Sequence, residues 1–420
     1  MIDYFLFILF SFLAAANAVL IFLFLLPSRK FGESFSPPIS IVVPAHNEER
    51  YIAETIRSIQ HAKYKNKKEI IVIDDGSTDG TARVVREIAK KTNNIKLFSI
   101  RHSGKSAALN YGIRKSSYDI IAYLDADSFL GKNSLKELVK PLADKNIAIS
   151  SGIIRARHTK NPLTWFQDIE YVASSGWRYA CDKIDATYIA PGFAAFKKSA
   201  VMKVGGFSRD TLTEDIDTTL ELRKAGYGAA MSRAVMFTSV PSGIRSLMKQ
   251  RIRWGRGSIQ TAKKHSDMIF SKKSKMVGVY SFPMHLFWYL FALVYMPFAI
   301  YWVSSAYLGT MINFVSFYTL IFFIKWFTIY GMADLFYNIL TGAYALTPLL
   351  FSIISSWALS FTYILLSMRK FKAFSWKGIS YFIIFPYYWA IFVVQGLVLI
   401  YEMFSRGSVN IWGKFAGNSA

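Results

Sequence analysis

The stretch Ile70-Ile71-Val72-Ile73-Asp74-Asp75-Gly76 is a short apolar run that ends in two acids and a glycine. Similar apolar runs occur at residues 39–43, 95–100 and 120–124, separated by segments with helical patterns. Short apolar strands that alternate with helices predict a mostly parallel, Rossmann-like α/β sheet covered on both faces. Ligands of such sheets bind beyond the carboxyl ends of the strands, where this sequence carries its polar clusters.

The composition narrows the class of protein. Of the 420 residues, 53% are hydrophobic and 18% charged, which excludes a disordered chain because so much apolar surface can be buried. Cys181 is the single cysteine, so no intrachain disulfide can form. The net charge of +23 is compatible with nucleic acid, anionic lipid or phosphate-bearing substrates. The positions of the charges must decide between these partners.

The N-terminal segment is apolar enough to cross a bilayer. Residues 4–26 carry no charge, and a spanning helix needs roughly 20 such residues. A cleaved signal peptide is the alternative, because residues 14–18 are small, but Asp3 replaces the expected positive start and Arg29 and Lys30 follow the run. We therefore expect residues 1–30 to be a retained transmembrane helix with residues 37–257 in the cytoplasm.

The C-terminal part predicts a transmembrane bundle at residues 279–404, followed by a tail at residues 405–420. Four candidate spans lie at residues 279–303, 311–330, 344–367 and 380–404. With four spans, the loop that holds Arg369, Lys370, Lys372 and Lys377 lies outside, against the tendency of basic loops to stay inside. Either a middle segment is interfacial or this loop is an exception.

A pair of acids, Asp125 and Asp127, directly follows the predicted fourth strand. Residues i and i+2 of an extended segment point to the same side, so both carboxylates can bind one hard cation. Mg²⁺ or Mn²⁺ held in this way takes its other ligands from substrate phosphates and water. A solvated turn is the alternative, but no Lys or Arg partner is close in the sequence.

Two more clusters follow the second and third strands. Asp74 and Asp75 can bind a nucleobase imide and a ribose, or residues 74–80 can be a turn and helix cap. Lys105, in the run His102-Ser103-Gly104-Lys105, offers a cation beside backbone N–H groups suited to a diphosphate. His46, His102 and His158 lack the spacing of metal ligands and are interpreted as ordinary histidines. Asn47 is expected to cap a helix that runs to about Gln60.

The remaining motifs lie near the end of the soluble domain. Thr213-Glu214-Asp215 precedes a helical pattern, and a helix cap with acids in its first turn is the alternative interpretation. Residues 245–275 contain ten Lys or Arg and one acid, which indicates an amphipathic, interfacial segment at 244–275. Lipid headgroups account for Lys263, Lys264 and the lysines at 272–275. Arg253 and Trp254 can instead bind phosphate and stack on a sugar ring.

The ordered set of motifs at 74–76, 125–127, 213–215 and 250–254 resembles the processive, membrane-embedded glycosyltransferases of family 2. This group includes the synthases of poly-N-acetylglucosamine, hyaluronan, chitin and cellulose. Residues 44–48, 104–110 and 190–193 also resemble motifs of the group, and residues 192–200, 212–217 and 385–389, with Trp412, are most similar to the poly-N-acetylglucosamine synthases. The resemblance implies a cytoplasmic GT-A domain inserted between transmembrane helices of the plasma membrane.

The resemblance also implies roles for individual residues. Asp215, with Glu214, is the expected catalytic base, and Asp127 with Asp125 is expected to hold Mg²⁺ or Mn²⁺ on a UDP-sugar. The expected contacts to the donor nucleotide and its diphosphate are Ala45, Glu48, Asp74, Asp75, Lys105, Asp125, Gln250, Arg253 and Trp254. Gly192 and Trp254 are expected to contact the growing polysaccharide. The lipid bilayer is the other expected partner, an accessory membrane subunit is left open, and nucleic acid is not expected.

Two alternatives stay open at this point. A nonprocessive enzyme of the same fold would transfer a single sugar to a polyprenyl phosphate or another lipid-linked acceptor, and the Gln250/Arg253/Trp254 motif argues against it. A basic membrane protein that binds nucleic acid or lipid without catalysis would have no need of Asp125, Asp127 and Asp215. The preferred expectation is inverting, processive transfer from UDP-GlcNAc, with export of the polymer through the membrane bundle.

Overall fold

The computed structural model describes residues 2–32, 34–313, 321, 324–325, 328–376 and 386–404. Eight strands form one sheet: β1 (Ile39–Ala45), β2 (Lys68–Asp75), β3 (Ile95–Ile100), β4 (Ile120–Leu124), β5 (Ser128–Leu130), β6 (Ile147–Ala156), β7 (Phe193–Lys197) and β8 (Gly228–Thr238). Helix α1 (Ile2–Leu25) precedes the sheet in the sequence. The α-helices that follow, up to residue 264, are α2 (Ile52–His61), α3 (Thr81–Ala89), α4 (Lys105–Lys115), α5 (Ser134–Val139), α6 (Pro162–Asp182), α7 (Lys198–Lys203), α8 (Glu214–Lys224) and α9 (Ile244–Lys264). Four described helices follow: α10 (Phe282–Asn313), α11 (Ile329–Leu340), α12 (Pro348–Lys370) and α13 (Pro386–Phe404).

The sheet is mostly parallel, as expected, and has the order β3-β2-β1-β4-β7-β6-β8-β5. Strands β1 to β4 are mutually parallel, whereas β7 runs antiparallel to both of its neighbours, β4 and β6. The sheet is covered on both faces, because Ile41 and Val43 belong to one apolar core while Val42 belongs to the other. Burial on both faces explains why these strands are apolar along their whole length.

The register of the strands brings the polar clusters to one edge of the sheet. Ala45 at the end of β1 pairs with Asp74 of β2, and β4 ends directly before Asp125. Leu124 pairs with Phe193, so the start of the antiparallel strand β7 also lies at this edge. Residues that follow β1, β2 and β4 and residues that precede β7 therefore meet there.

Asn47 does not cap α2, which contradicts the expectation from the sequence. The helix begins at Ile52 with Tyr51 at the cap position. Asn47 instead adopts a left-handed conformation with φ of 55°, and its side-chain oxygen accepts a hydrogen bond from the backbone of Thr78 at 2.8 Å. The asparagine joins the loop after β1 to the loop after β2, a use that its local sequence does not reveal.

Three described helices are long and apolar enough to cross a membrane: Ile2–Leu25, Val277–Phe298 and Pro348–Lys370. The expected span at 311–330 lies largely outside the described residues, as do the first residues of the span expected at 380–404 and the tail at 405–420. Helix α1 lies along α12 in the same direction, because Leu6 and Leu349 belong to one apolar cluster at one end and Phe24 contacts Tyr363 at the other. Asn17 donates a hydrogen bond to Ser360 at 2.9 Å between them.

The basic loop after α12 lies on the side of the soluble domain, which corrects the expected position outside. Lys370 lies over the ring of Tyr179 of α6 at 4.9 Å, and Phe371 contacts the same ring at 6.0 Å. The parallel course of α1 and α12 explains this position, because both helices end at the domain. Arg369 and Lys370 therefore share a side with Arg29, in agreement with the usual distribution of basic loops.

Helix α13 lies beside α9, the helix of the basic segment. Val398 packs against Gly255, and Glu402 pairs with Arg256 at 2.5 Å. Lys263 contacts the backbone carbonyl of Glu402, and Lys264 pairs with Asp217 at 2.9 Å. The lipid contacts expected for these two lysines are thus replaced by contacts within the protein, whereas the lysines at 272, 273 and 275 are exposed.

Candidate functional site

The structure brings the acids of two distant motifs around one ammonium group. Lys105, the first residue of α4, lies with its Nζ 2.7 Å from Asp125 Oδ1 and 2.9 Å from Glu214 Oε1. Asp127 follows Asp125 by two residues, and Asp215 follows Glu214 in the first turn of α8. Lys105 is only 15% exposed, so this ion pair is largely shielded from water.

The electrostatics of the cluster follow from this crowding. Burial disfavours the charge of Lys105, but Asp125 and Glu214 outweigh it and raise the pKa of the ammonium. Burial and the neighbouring carboxylate of Glu214 raise the pKa of Asp215 to about 6. Burial and Asp125 likewise raise the pKa of Asp127 to about 6. Burial opposes the ionisation of Glu214, yet Lys105 keeps its pKa below the usual value.

The position of Lys105 corrects two expectations. Asp125 was expected to have no basic partner, but Lys105 reaches it because α4 begins at the same edge of the sheet at which β4 ends. Lys105 was also expected beside backbone N–H groups available for a diphosphate. The N–H groups of Ser103 and Gly104 instead donate to the carboxylate of Asp75 at 2.8 and 2.9 Å.

Gly192 borders the acidic cluster at the start of β7. Its carbonyl accepts a hydrogen bond from the backbone of Asp125 at 3.2 Å, and its φ of 65° favours glycine. A Cβ at this position would lie 3.3 Å from Asp125 Oδ2 and 3.1 Å from the methyl group of Met236. The glycine leaves space beside the free oxygen of Asp125.

The residues predicted to bind a nucleotide lie at the ends of β1 and β2. Asp74 and Asp75 are buried, and Asp74 Oδ1 accepts a hydrogen bond from the backbone of Ser77 at 3.1 Å. Ala45 ends β1 beside Asp74. Glu48, three residues further along the chain, is buried, and its backbone N–H donates to Thr81 Oγ1 at 2.8 Å. The carboxylate of Asp75 accepts hydrogen bonds from the backbone of Ser103 and Gly104, and it thereby holds the loop that leads to Lys105.

Two histidines of this region lie together, although they are far apart in the sequence. The rings of His46 and His102 stack with their centroids 4.2 Å apart, and both lie against Asp75. His102 Nδ1 lies 3.0 Å from Asp75 Oδ2, and that carboxylate already accepts two backbone hydrogen bonds. The parallel pairing of β1, β2 and β3 brings these loops together, and no sequence spacing indicates it.

The three residues of the Gln250/Arg253/Trp254 motif lie on α9. Trp254 is half-buried and lies 6.2 Å from the ring of Tyr171 on α6, and Gln250 is among the residues that act on the Tyr171 hydroxyl. Arg253 is half-exposed, and it is among the cations that lower the pKa of Glu214 after the opposing effect of burial. The motif therefore lies next to the acidic cluster, and Tyr171 is a site residue that the sequence analysis missed.

Arg251, between Gln250 and Arg253, has a different role. It is buried, pairs with Glu170 at 2.7 Å, and lies over the ring of Trp254 at 4.4 Å. It thus supports the indole from behind. In the sequence, Glu170 and Tyr171 lie within the long helix α6 and carry no signal that distinguishes them from residues that pack inside the domain.

Close packing fixes α9 against the start of α8. A Cβ on Gly257 would lie 2.6 Å from Thr213 Cγ2 and 2.9 Å from the backbone nitrogen of the same residue. Thr213 Oγ1 and Thr261 Oγ1 also form a hydrogen bond of 3.0 Å. These contacts position Glu214 and Asp215, which directly follow Thr213, relative to Trp254.

The acidic cluster fits a divalent cation. Four carboxylates (Asp125, Asp127, Glu214 and Asp215) influence one another here, and the pKa values of Asp127 and Asp215 are raised partly by their acidic neighbours. Asp125 and Asp127 are only partly buried and directly follow β4. Their carboxylates supply the hard oxygen ligands that Mg²⁺ or Mn²⁺ requires. An excess of carboxylates over basic groups favours a bound cation.

The comparisons with known proteins agree with this geometry. Residues 40–205 match the profile of glycosyl transferase family 2. The chain is 32% identical over 250 residues to a poly-beta-1,6-N-acetyl-D-glucosamine synthase of Staphylococcus aureus, covering 58% of this chain and 59% of that protein. The corresponding synthase of Staphylococcus epidermidis is 31% identical over 247 residues, again with 58% and 59% covered. The match thus spans less than two thirds of these relatives.

Similarity to solved structures extends along most of the chain. A mannosyltransferase from Pyrobaculum calidifontis, in complex with GDP-Man and Mn²⁺, superimposes with a TM-score of 0.56 at 23% identity. The superposition covers 89% of this chain and 99% of the mannosyltransferase, so the arrangement of the α/β domain and apolar helices is shared. The profile match and the similarity to the two synthases identify residues 40–205 as a glycosyltransferase family 2 domain.

Proposed function

We propose that this protein is an inverting β-glycosyltransferase of the plasma membrane that extends a polysaccharide from a UDP-sugar, UDP-GlcNAc being the favoured donor. The observation that carries the proposal is the convergence of Asp125, Glu214 and Lys105 within 2.9 Å contacts at the carboxyl ends of the strands. The favoured donor follows from the names of the staphylococcal relatives. The soluble domain is proposed to lie in the cytoplasm, where UDP-sugars are made.

The donor would bind across the ends of β1, β2 and β4. Asp74 and Asp75, which lie at the end of β2 with Ala45 beside them on β1, are the proposed contacts to uracil and ribose, together with Glu48. Asp125 and Asp127 would hold the divalent cation, which neutralises negative charge on the diphosphate. Lys105 contacts Asp125, and Arg253 acts electrostatically on Glu214, so both are proposed to contact the same phosphates.

Asp215 is the proposed general base. In this role it takes the proton from an acceptor hydroxyl while the hydroxyl oxygen attacks the anomeric carbon and the bond from that carbon to UDP breaks. Attack from the side opposite UDP inverts the configuration. Burial and Glu214 raise the pKa of Asp215 to about 6, which leaves it ionised at neutral pH but more basic than an ordinary aspartate.

The acceptor would lie between Gly192 and Trp254. Trp254 is half-exposed and buttressed by Arg251, so its indole face can stack on the terminal sugar of the chain. Tyr171 lies beside the indole and would extend this surface. Gly192 leaves room for a hydroxyl near Asp125 Oδ2.

Processive extension and export are proposed for the membrane helices. A polysaccharide cannot cross hydrocarbon unaided, because its hydroxyl groups would lose their hydrogen bonds. Helix α9, with Trp254, packs directly against α13, and α13 packs on α10. The acceptor site and the membrane helices are therefore adjacent. An accessory membrane subunit remains compatible with this arrangement.

Donor specificity and product decide the proposal. The purified protein is incubated with radiolabelled UDP-GlcNAc, UDP-Glc or UDP-GlcA and with Mg²⁺ or Mn²⁺, and the product is sized and digested with linkage-specific glycosidases. We expect a long polymer from UDP-GlcNAc. A single sugar on a lipid-linked acceptor would contradict processivity, and no release of UDP from any donor would contradict the proposed activity. In sealed vesicles, polymer found only on the nucleotide side would contradict export.

A further inference from the structure

The ammonium of Lys105 lies inside the acidic cluster that is proposed to bind the divalent cation. It contacts one oxygen of Asp125 at 2.7 Å and one oxygen of Glu214 at 2.9 Å, and these contacts link the loop after β4 to the start of α8. Asp125 is also one of the two carboxylates suited to a divalent cation. One carboxylate therefore has two competing cationic partners.

We propose that Lys105 is a built-in competitor of the divalent cation: its ammonium occupies Asp125 in the nucleotide-free protein and leaves this carboxylate when a diphosphate binds beside it. The inference rests on the proposed function, because it concerns the same nucleotide site. It adds an order to binding. The nucleotide prepares the metal site by drawing the lysine away.

Simple electrostatics support the competition. A divalent cation binds a carboxylate oxygen at about 2.0–2.1 Å in the case of Mg²⁺. An ammonium 2.7 Å from Asp125 Oδ1 would then contact a cation on that oxygen and would face a cation on Oδ2 across a single carboxylate group. The side chain of Asp125 is 31% exposed and that of Glu214 8% exposed, so water screens this repulsion incompletely.

The position of Lys105 allows it to move. It is the first residue of α4 and follows Gly104, which has a φ of 88° and no atom within 4 Å of the position that a Cβ would take. The long and flexible side chain of lysine can exchange one anion for another without a change in the helix. The ring of Tyr123 lies 5.7 Å from the ammonium, so a neutral aromatic surface borders the position of the ammonium in the structure.

The consequence is thermodynamic coupling. If binding of a diphosphate frees Asp125, the nucleotide increases the affinity for the metal, and the metal increases the affinity for the nucleotide by the same factor. Part of this coupling comes from direct contact between metal and phosphate. The part that depends on Lys105 disappears when the ammonium is removed.

The test measures Mn²⁺ affinity of the full-length protein in detergent, by electron paramagnetic resonance titration, without nucleotide and with UDP. We expect Lys105→Met to bind Mn²⁺ on the order of tenfold more tightly than the wild type in the absence of UDP. The additional gain from UDP should be smaller in this variant. Lys105→Arg should resemble the wild type because it keeps the charge. Lys96→Met removes a comparable ion pair, Lys96 with Glu69 at 2.9 Å, away from the site and should leave the Mn²⁺ affinity unchanged.

Asp125→Asn gives a second test that does not depend on the folding of Lys105→Met. If Lys105 occupies Asp125, the wild type gains little from this carboxylate before UDP binds. The variant should then match the wild-type Mn²⁺ affinity without UDP and lose most of the increase with UDP. Equal Mn²⁺ affinities of the wild type and Lys105→Met without nucleotide would overturn the proposal. So would an equal loss of affinity in Asp125→Asn with and without UDP.

These outcomes are separate from the proposed function. The metal titration without nucleotide reports on Lys105 even if no UDP-sugar is turned over. Conversely, sugar transfer with equal Mn²⁺ affinities for wild type and Lys105→Met would preserve the activity and remove only the competition.

Discussion

Asp217 Oδ1 lies 2.6 Å from His265 Nε2, and both side chains are completely buried. Asp217 follows Asp215 by two residues on α8, and His265 directly follows α9, which carries Trp254. Lys264 pairs with the other oxygen of Asp217 at 2.9 Å. Burial opposes the ionisation of Asp217, but His265 and Lys264 outweigh it and lower its pKa. The contact joins the helix of the proposed base to the helix of the acceptor motif.

Weakening this contact should affect catalysis more than donor binding. We expect Asp217→Asn to lower kcat by roughly tenfold to a hundredfold with little change in the KM for the donor, because the base is displaced from the acceptor. His265→Gln replaces the ring N–H with an amide N–H that can still donate to Asp217, so this variant should lose less activity than Asp217→Asn. Lys224→Ala, which removes an exposed ion pair with Asp267 at 2.8 Å, is the control. Steady-state kinetics that show equal losses for Asp217→Asn and the control would contradict this positioning role.

Gly257 should tolerate no side chain. In Gly257→Ala the new Cβ would meet the backbone of Leu212 and Thr213 at 2.9 Å, so α8 or α9 must move. We expect a loss of about 1–3 kcal/mol in stability, measured as a lower Tm in detergent, together with reduced transfer. Gly243→Ala, at the cap position of the same helix, has its nearest neighbour at 3.8 Å, so it avoids the clash and should lower the Tm much less. Equal melting temperatures for the two variants would show that the packing is not tight.

The pH profile should report the environment of Asp215. Glu214, Lys105 and Asp125 all act on this carboxyl, and burial with Glu214 raises its pKa to about 6. Because a base acts only when ionised, kcat/KM for the donor should fall as the pH decreases through about 6. In Glu214→Gln one neighbouring negative charge is lost, so the acid limb should move to lower pH. A limb that stays in place or moves to higher pH would contradict the assignment.

The strands and the motifs could be predicted because their signals are local. The apolar runs of β1, β2 and β4 and the acids that follow them are contiguous in sequence, and the rule for ligand positions in parallel sheets then indicates the edge where they meet. The family resemblance supplied the roles of Asp215, Arg253 and Trp254. The profile match at residues 40–205 confirms the family, whereas the individual roles stay predictions.

The partners of these residues could not be predicted from the sequence. Lys105 reaches Asp125 and Glu214 only through the fold, and Asp75 binds the backbone of Ser103 and Gly104 for the same reason. The position of Lys370 beside the domain depends on the parallel packing of α1 and α12, which hydropathy does not encode. Tertiary contacts of this kind carry no periodic signal along the chain.

The central claim is that Asp215 removes the acceptor proton within a site that binds the donor independently of it. The most direct measurement compares wild type and Asp215→Asn in UDP binding by calorimetry and in polymer formation from UDP-GlcNAc with Mn²⁺. We expect unchanged UDP affinity and a loss of transfer on the order of 10²–10⁴-fold. Full transfer by Asp215→Asn would contradict the account.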